Sequence, residues 1–137
     1  MNGKISLKPS RRRWIILAII FGALVLNYID RQIVSILKPT LKNAFEIDDS
    51  GYARLVNIFT VCYAVMYPAA GWLVDRLGAG ITMLGGMVTW SFACLGAAVT
   101  RGFPNFAAFR GMLGIAEPMA FPAQLRVVTL WFPGSLR

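Results

Sequence analysis

The chain of 137 residues has no histidine, six acidic residues and two cysteines. Without histidine there is no imidazole metal ligand and no histidine general base, which removes the commonest routes to zinc and hydrolytic chemistry. No G-x-S-x-G, C-x-x-C or phosphate-binding glycine loop occurs, so the sequence offers no support for an enzyme and implies no cofactor. The two cysteines, Cys62 and Cys94, fall inside apolar runs, are read as small apolar packing groups and say little about redox compartment. Charge of either sign is scarce, at 15% of residues, against about 25% in soluble domains. With 57% hydrophobic residues and a mean hydropathy of +0.61, the composition is that of a membrane protein. At about 20 residues per crossing the length accommodates four helices with short loops and no soluble domain.

The charge that is present leans one way, 14 Lys and Arg against 6 Asp and Glu, for a net +8. A basic balance fits nucleic acid in general, but its distribution here excludes that partner. Lys4, Lys8, Arg11, Arg12 and Arg13 all sit in a tail, residues 1–13, just before the first apolar run. By the positive-inside rule such a tail is cytoplasmic, with anionic lipid head groups as a secondary contact. The tail and run also have the outline of a secretory leader. The run is long, lacks a small-x-small cleavage site and is followed by further runs, so it is read as a retained span.

Four spans are expected, at about 14–37, 53–74, 77–100 and 105–128, with residues 129–137 starting a cytoplasmic loop. Pro39 marks the end of the first. The loop after it carries Lys38, Lys42, Glu46, Asp48 and Asp49, a balance of −1 that suits the outer side, and Asp49 or Ser50 is the expected N-cap of the next helix. Pro68 and its small neighbours Ala69, Ala70 and Gly71 loosen the later half of the second span. The third is rich in small residues, among them the Ala93 and Ala97 pair suited to close helix contact. Trp131-Phe132-Pro133 has the character of an interfacial ending.

The first and fourth spans break the apolar pattern. Residues 14–29 carry no charge, and then Asn27-Tyr28-Ile29-Asp30-Arg31 places two full charges inside the run, with Asn27 one helical turn before Arg31. A charge near mid-membrane costs about 2.5–3.5 kcal/mol on insertion scales, which makes it a functional candidate by default. The fourth span holds Arg110 and Glu117, seven residues apart on one helical face, with Pro118 directly after the glutamate and Pro122 a turn later. At 1.5 Å per residue the two charges stand about 10 Å apart along the axis, too far for a direct salt bridge. Partners on the first helix are therefore expected, Asp30 for Arg110 and Arg31 for Glu117. Arginine offers two parallel donors to a carboxylate. A buried carboxylate that loses its arginine to an anionic substrate becomes ready to take a proton, which is a chemical basis for proton-coupled anion transport. A static network locking two helices is the plainer alternative. Tyr63, mid-way along the second span, is equally a helix contact or a substrate contact.

Gly71-Trp72-Leu73-Val74-Asp75-Arg76-Leu77-Gly78 resembles the G-x-L-x-D-R-x-G signature loop of the major facilitator superfamily. Asn27-Tyr28-Ile29-Asp30-Arg31, the Arg110-to-Glu117 stretch and Phe121-Pro122-Ala123 through Trp131-Phe132-Pro133 are similar to its anion:cation symporter branch, which includes hexuronate, glucarate, galactonate and sialin-like carriers. The resemblance covers nearly all of the chain from Trp14 onward. It implies an all-α bundle of twelve spans in two halves of inverted three-helix repeats. This chain would supply the first three-helix repeat and the first helix of the next, with the remaining C-terminal helices of the same protein as its partners. It implies a multi-pass protein of the inner membrane, N-terminus cytoplasmic, carrying a small organic anion such as a sugar acid together with protons. Arg31, Tyr63 and Arg110 would bind substrate, and Asp30 and Glu117 would be the proton-coupling sites. Gly71, Asp75, Arg76 and Gly78 would form a cytoplasmic gate. The signature usually continues with Arg or Lys, whereas Ala79, Gly80 and Ile81 follow here, which implies a weaker gate network. A truncated remnant and a complete four-helix oligomeric exporter are the alternative expectations. The small multidrug exporters carry their glutamate in the first helix, while Glu117 lies in the fourth span.

Overall fold

The computed structural model describes residues 11–131. Lys4 and Lys8 of the basic tail, and Phe132-Pro133 of the interfacial ending, lie outside the described residues. The chain forms five α-helices in the order α1 (Arg11–Ile36), α2 (Lys38–Phe45), α3 (Asp49–Leu77), α4 (Ala79–Val99) and α5 (Phe103–Trp131). The all-helical class expected from the sequence is what is found.

The element that sequence reasoning missed is α2, which was expected as loop. Pro39 sits at its start, where a missing N–H costs nothing because no intrahelical acceptor is available there. Lys38 and Lys42 of α2 reach the same Asp49 oxygen, at 2.9 and 3.2 Å, and tie the short helix to the start of α3. The N-cap of α3 is Asp48, one residue earlier than expected, its carboxylate accepting from the Gly51 N–H at 2.8 Å. That bond holds the Asp48 carboxyl below the usual aspartate range. Between α3 and α4 the chain turns on Gly78, whose φ of +87° disfavours any residue with a Cβ.

Helix α5 packs along both α3 and α4 and is the hub of the bundle. Glycines allow the approach. A Cβ on Gly114 would come within 2.5 Å of the Phe59 carbonyl oxygen of α3, and one on Gly86 of α4 within 3.2 Å of the Ala116 carbonyl of α5. The Phe109 ring fills the space left by Gly96, and Ala93 is fully buried. This close, small-residue packing is how helices associate where no hydrophobic effect drives them together.

Helix α1 is different. Only Ile20, Ala23 and Val34 of its 26 residues are buried, and large apolar side chains such as Trp14, Phe21 and Ile36 are well exposed. A bilayer solvates such faces. By length and apolar composition, α1, α3 and α4 suffice to cross a membrane. The expected fourth span, α5, is not among them, because Arg110, Glu117, Gln124 and Arg126 dilute its 29 residues. The first three of those polar side chains are turned inward and buried, so α5 presents less polar surface than its composition states.

Candidate functional site

Each helix brings a different chemical stripe to the space between α1, α3 and α5. From α1 come Asn27 and Arg31, one turn apart. From α3 comes an aromatic ladder at four-residue spacing, Phe59, Tyr63 and Tyr67, with ring centroids 5.9 Å apart at both steps and Phe121 of α5 stacked beyond it. From α5 come Arg110, Glu117 and Gln124, spaced by seven and so aligned on one face, with exposures of 6%, 4% and 4%.

Arg31 and Glu117 meet. The Arg31 Nε donates to Glu117 Oε2 at 2.9 Å, with the arginine side chain 38% exposed and the glutamate side chain 1%. The guanidinium lies over the Tyr63 ring at 4.5 Å and near the Phe59 ring at 5.8 Å. The other expected pair does not form. Asp30 accepts instead from the Trp90 indole N–H and from the Cys94 Sγ at 3.5 Å, both on α4. Arg110 lies over the Phe59 ring, its guanidinium carbon 4.7 Å from the centroid and its Nε without a hydrogen-bond partner. The reason is angular. Asp30 and Arg31 are consecutive, so their side chains leave α1 about 100° apart, and one is directed to α4 while the other is directed to α5. Cys94 is accordingly more than apolar filler, since its thiol contacts a carboxylate.

Two cavities adjoin this cluster. One of about 210 Å³ is lined by Asn27, Tyr28, Arg31, Tyr63, Glu117 and Gln124. The second, about 390 Å³, is lined by Arg31, Tyr52, Phe59, Thr60 and Arg110. Arg31 belongs to both, and each cavity carries one more charged side chain. Two residues that line the first cavity each have a buried acceptor atom without a partner, Glu117 Oε1 and Gln124 Oε1. Sequence reasoning missed Gln124 and Trp90. The repeat of seven that linked Arg110 to Glu117 reaches Gln124 when continued, whereas nothing in the sequence singles out Trp90.

At the other end of the helices the expected gate residues are brought together only in part. Asp75 forms an ion pair with Arg126 of α5, beside a cavity of about 400 Å³ lined by Gly71, Pro122 and Leu125 as well. Arg76 lies over Trp72 of its own helix at 5.1 Å. Gly78 supplies the turn, and Gly71 has open space around it. No group of three metal-ligating side chains occurs among the described residues.

An apolar helical bundle with an arginine–carboxylate pair at a cavity between its helices is the architecture of a multi-pass membrane protein with a polar interior site. The sequence profile of the Major Facilitator Superfamily matches residues 20–137, and the chain belongs to that family. It is 32% identical over 130 residues to the uncharacterized transporter YybO of Bacillus subtilis (strain 168), covering 95% of this chain and 30% of that protein. It is 32% identical over 125 residues to the hexuronate transporter of Escherichia coli (strain K12), covering 91% and 29%. Similarity to the galacturonate transporter of Dickeya chrysanthemi is 30% over 125 residues, covering 91% and 36%. The chain thus spans about a third of the length of these curated relatives. No solved structure matches it significantly.

Proposed function

We propose that this chain forms the anion- and proton-handling part of a secondary active transporter that carries a small organic anion of the sugar-acid class by proton symport. The observation that carries the reading is the Arg31–Glu117 pair on the wall of an open cavity. A pair serving packing alone gains little over apolar residues of the same volume, and here the arginine is left accessible. An entering carboxylate takes the guanidinium fork of Arg31, with the Tyr63 ring beneath it. Glu117, having lost its cation in a buried position, takes up a proton. Release of the anion on the other side returns Arg31 to Glu117, and the proton leaves. One monoanion and one proton cross as a neutral pair, so neither Arg31 nor Glu117 is left with an unpaired charge. Asp30, held by α4, is the second proton-coupling group, and Arg110 is the second cation facing the anion. The named relatives that transport galacturonate and hexuronates support this substrate class.

In this reading α5 is the fourth crossing, and the basic tail places the N-terminus in the cytoplasm of an inner-membrane protein. Gly71, Asp75, Arg76 and Gly78 then lie at the cytoplasmic end as the gate, and the remaining helices of a twelve-helix bundle close the pathway.

The test is uptake of labelled galacturonate into proteoliposomes under an inward proton gradient. Arg31→Ala is expected to weaken anion binding by at least tenfold, since a charge-assisted bidentate contact is lost. Glu117→Gln is expected to retain anion exchange between the two sides but to lose accumulation against a gradient. Gradient-driven accumulation that survives both substitutions overturns the mechanism.

A further inference from the structure

Gln124 is 4% exposed, and its Oε1 has no hydrogen-bond partner although it borders the cavity that Arg31 and Glu117 line. A buried amide oxygen without a donor loses more than the net value of an ordinary hydrogen bond, so such atoms call for a partner. Beside it, Glu117 Oε1 is a second buried acceptor without a donor. Both residues line that cavity, and a molecule that enters it can supply the donors they lack. About 210 Å³ is room for about seven water-sized groups, at 30 Å³ each. The same cavity is also lined by Arg31 and Asn27. The pattern is one cation and two unpaired acceptors. It matches a molecule with one carboxylate and hydroxyl donors further along its carbon chain.

We infer that Gln124 is a specificity-determining residue whose amide oxygen accepts a hydroxyl of the bound anion, so that the site selects hydroxylated carboxylates over hydroxyl-free ones of the same length. The inference rests on the anion site proposed at Arg31 and adds to it the group that distinguishes one anion from another. Its position supports this. Gln124 is two helical turns beyond Glu117 on the same face, about 10 Å along α5, which is the reach of a six-carbon acid held at one end by Arg31. A site that hydrogen-bonds a substrate hydroxyl rejects the analogue lacking it, because the site's own polar group is then buried unpaired.

The test compares inhibition constants of galacturonate, galactonate and galactarate with that of adipate, a six-carbon acid with no hydroxyl, against the transporter in proteoliposomes. The wild type is expected to bind the best of the three sugar acids at least tenfold more tightly than adipate. Gln124→Met, close in volume, is expected to cut that ratio by about tenfold, chiefly by weakening the sugar acid while adipate is unchanged. The ratio is internal to each variant and does not depend on how much folded protein is made. Wild type that binds adipate as well as every sugar acid overturns the inference without any variant. So does an unchanged ratio in Gln124→Met alongside a loss of sugar-acid binding in Arg31→Ala, and that outcome leaves the anion site standing. No binding of any of the four acids by the wild type overturns both.

Discussion

At the scale of single residues, the adjacent pair Asp30 and Arg31 is decided by its surroundings and not by its own chemistry. Each charge is partnered, but by different helices: Arg31 by a full opposite charge on α5, Asp30 by the neutral donors Trp90 and Cys94 on α4. A hydrogen bond to a charged group contributes about 1.5–3 kcal/mol, more than a neutral one. Trp90→Phe keeps the ring and removes the donor, so Asp30 retains only the weak thiol. We expect that variant to lose about 1–3 kcal/mol of stability, read as a lowered thermal unfolding midpoint in detergent, while Trp72→Phe on the exposed face of α3 leaves it unchanged. Equal midpoints for the two variants would show that the indole contact contributes nothing. Sequence reasoning found all four charges of this network and one of its two pairings. It missed the other because helical spacing fixes which residues share a face but not which neighbour that face meets.

At the scale of elements, the bundle divides into a tightly packed core of α3, α4 and α5 and a first helix joined to it largely through polar contacts. Val34 accepts a hydrogen bond from the Tyr52 hydroxyl of α3 at 3.3 Å, and the Asp30 and Arg31 contacts add to the attachment. In the proposed cycle the anion competes for one of these ties, so occupancy of the site bears directly on how α1 is held. The core is set by backbone approach. Gly114→Ala forces a methyl against the Phe59 carbonyl and the Cys62 side chain. Overpacking of this kind costs about 1–3 kcal/mol. Gly85→Ala meets nothing within 4 Å, and replacing an interior helical glycine in open space stabilises by about 0.5–1 kcal/mol. Thermal unfolding in detergent should therefore move in opposite directions for the two, and a shift of the same sign in both would remove the close-packing account. The short helix α2 was not legible in advance, because its eight residues mix charge, proline and apolar side chains without a period long enough to read.

At the scale of the whole molecule, the polar interior and the apolar exterior are the reverse of a soluble domain. Arg110, Glu117 and Gln124 are buried at the centre, while Phe21, Val65, Leu95 and Leu130 face outward. That arrangement suits a bilayer, where lipid solvates the outside and charged groups turn inward to one another. The proposed orientation places α2 on the outer side and the Gly78 turn in the cytoplasm. With Cys62 and Cys94 changed to serine, a cysteine at Asn43 should react with a membrane-impermeant maleimide in intact cells. One at Gly80 should react only after the membrane is opened. The opposite pattern would invert the orientation and place the Asp75–Arg126 pair outside.

The sequence by itself determined the class of the protein. Scarce charge, long apolar runs and four charges within the expected spans leave only a helical membrane bundle with a polar site, and the spacing of Arg110 and Glu117 required partners from another helix. Those are one-dimensional properties, fixed by helical periodicity and by the cost of charge in lipid. What only the tertiary structure decided is which partner each charge has, that Arg31 lines two cavities, and that Gln124 lines one of them with its acceptor unpaired. These depend on the rotation of each helix about its axis. Among α3, α4 and α5 that rotation is set by where Gly86 and Gly114 let backbones approach and where Gly96 receives the Phe109 ring, and no pattern within a single helix encodes it.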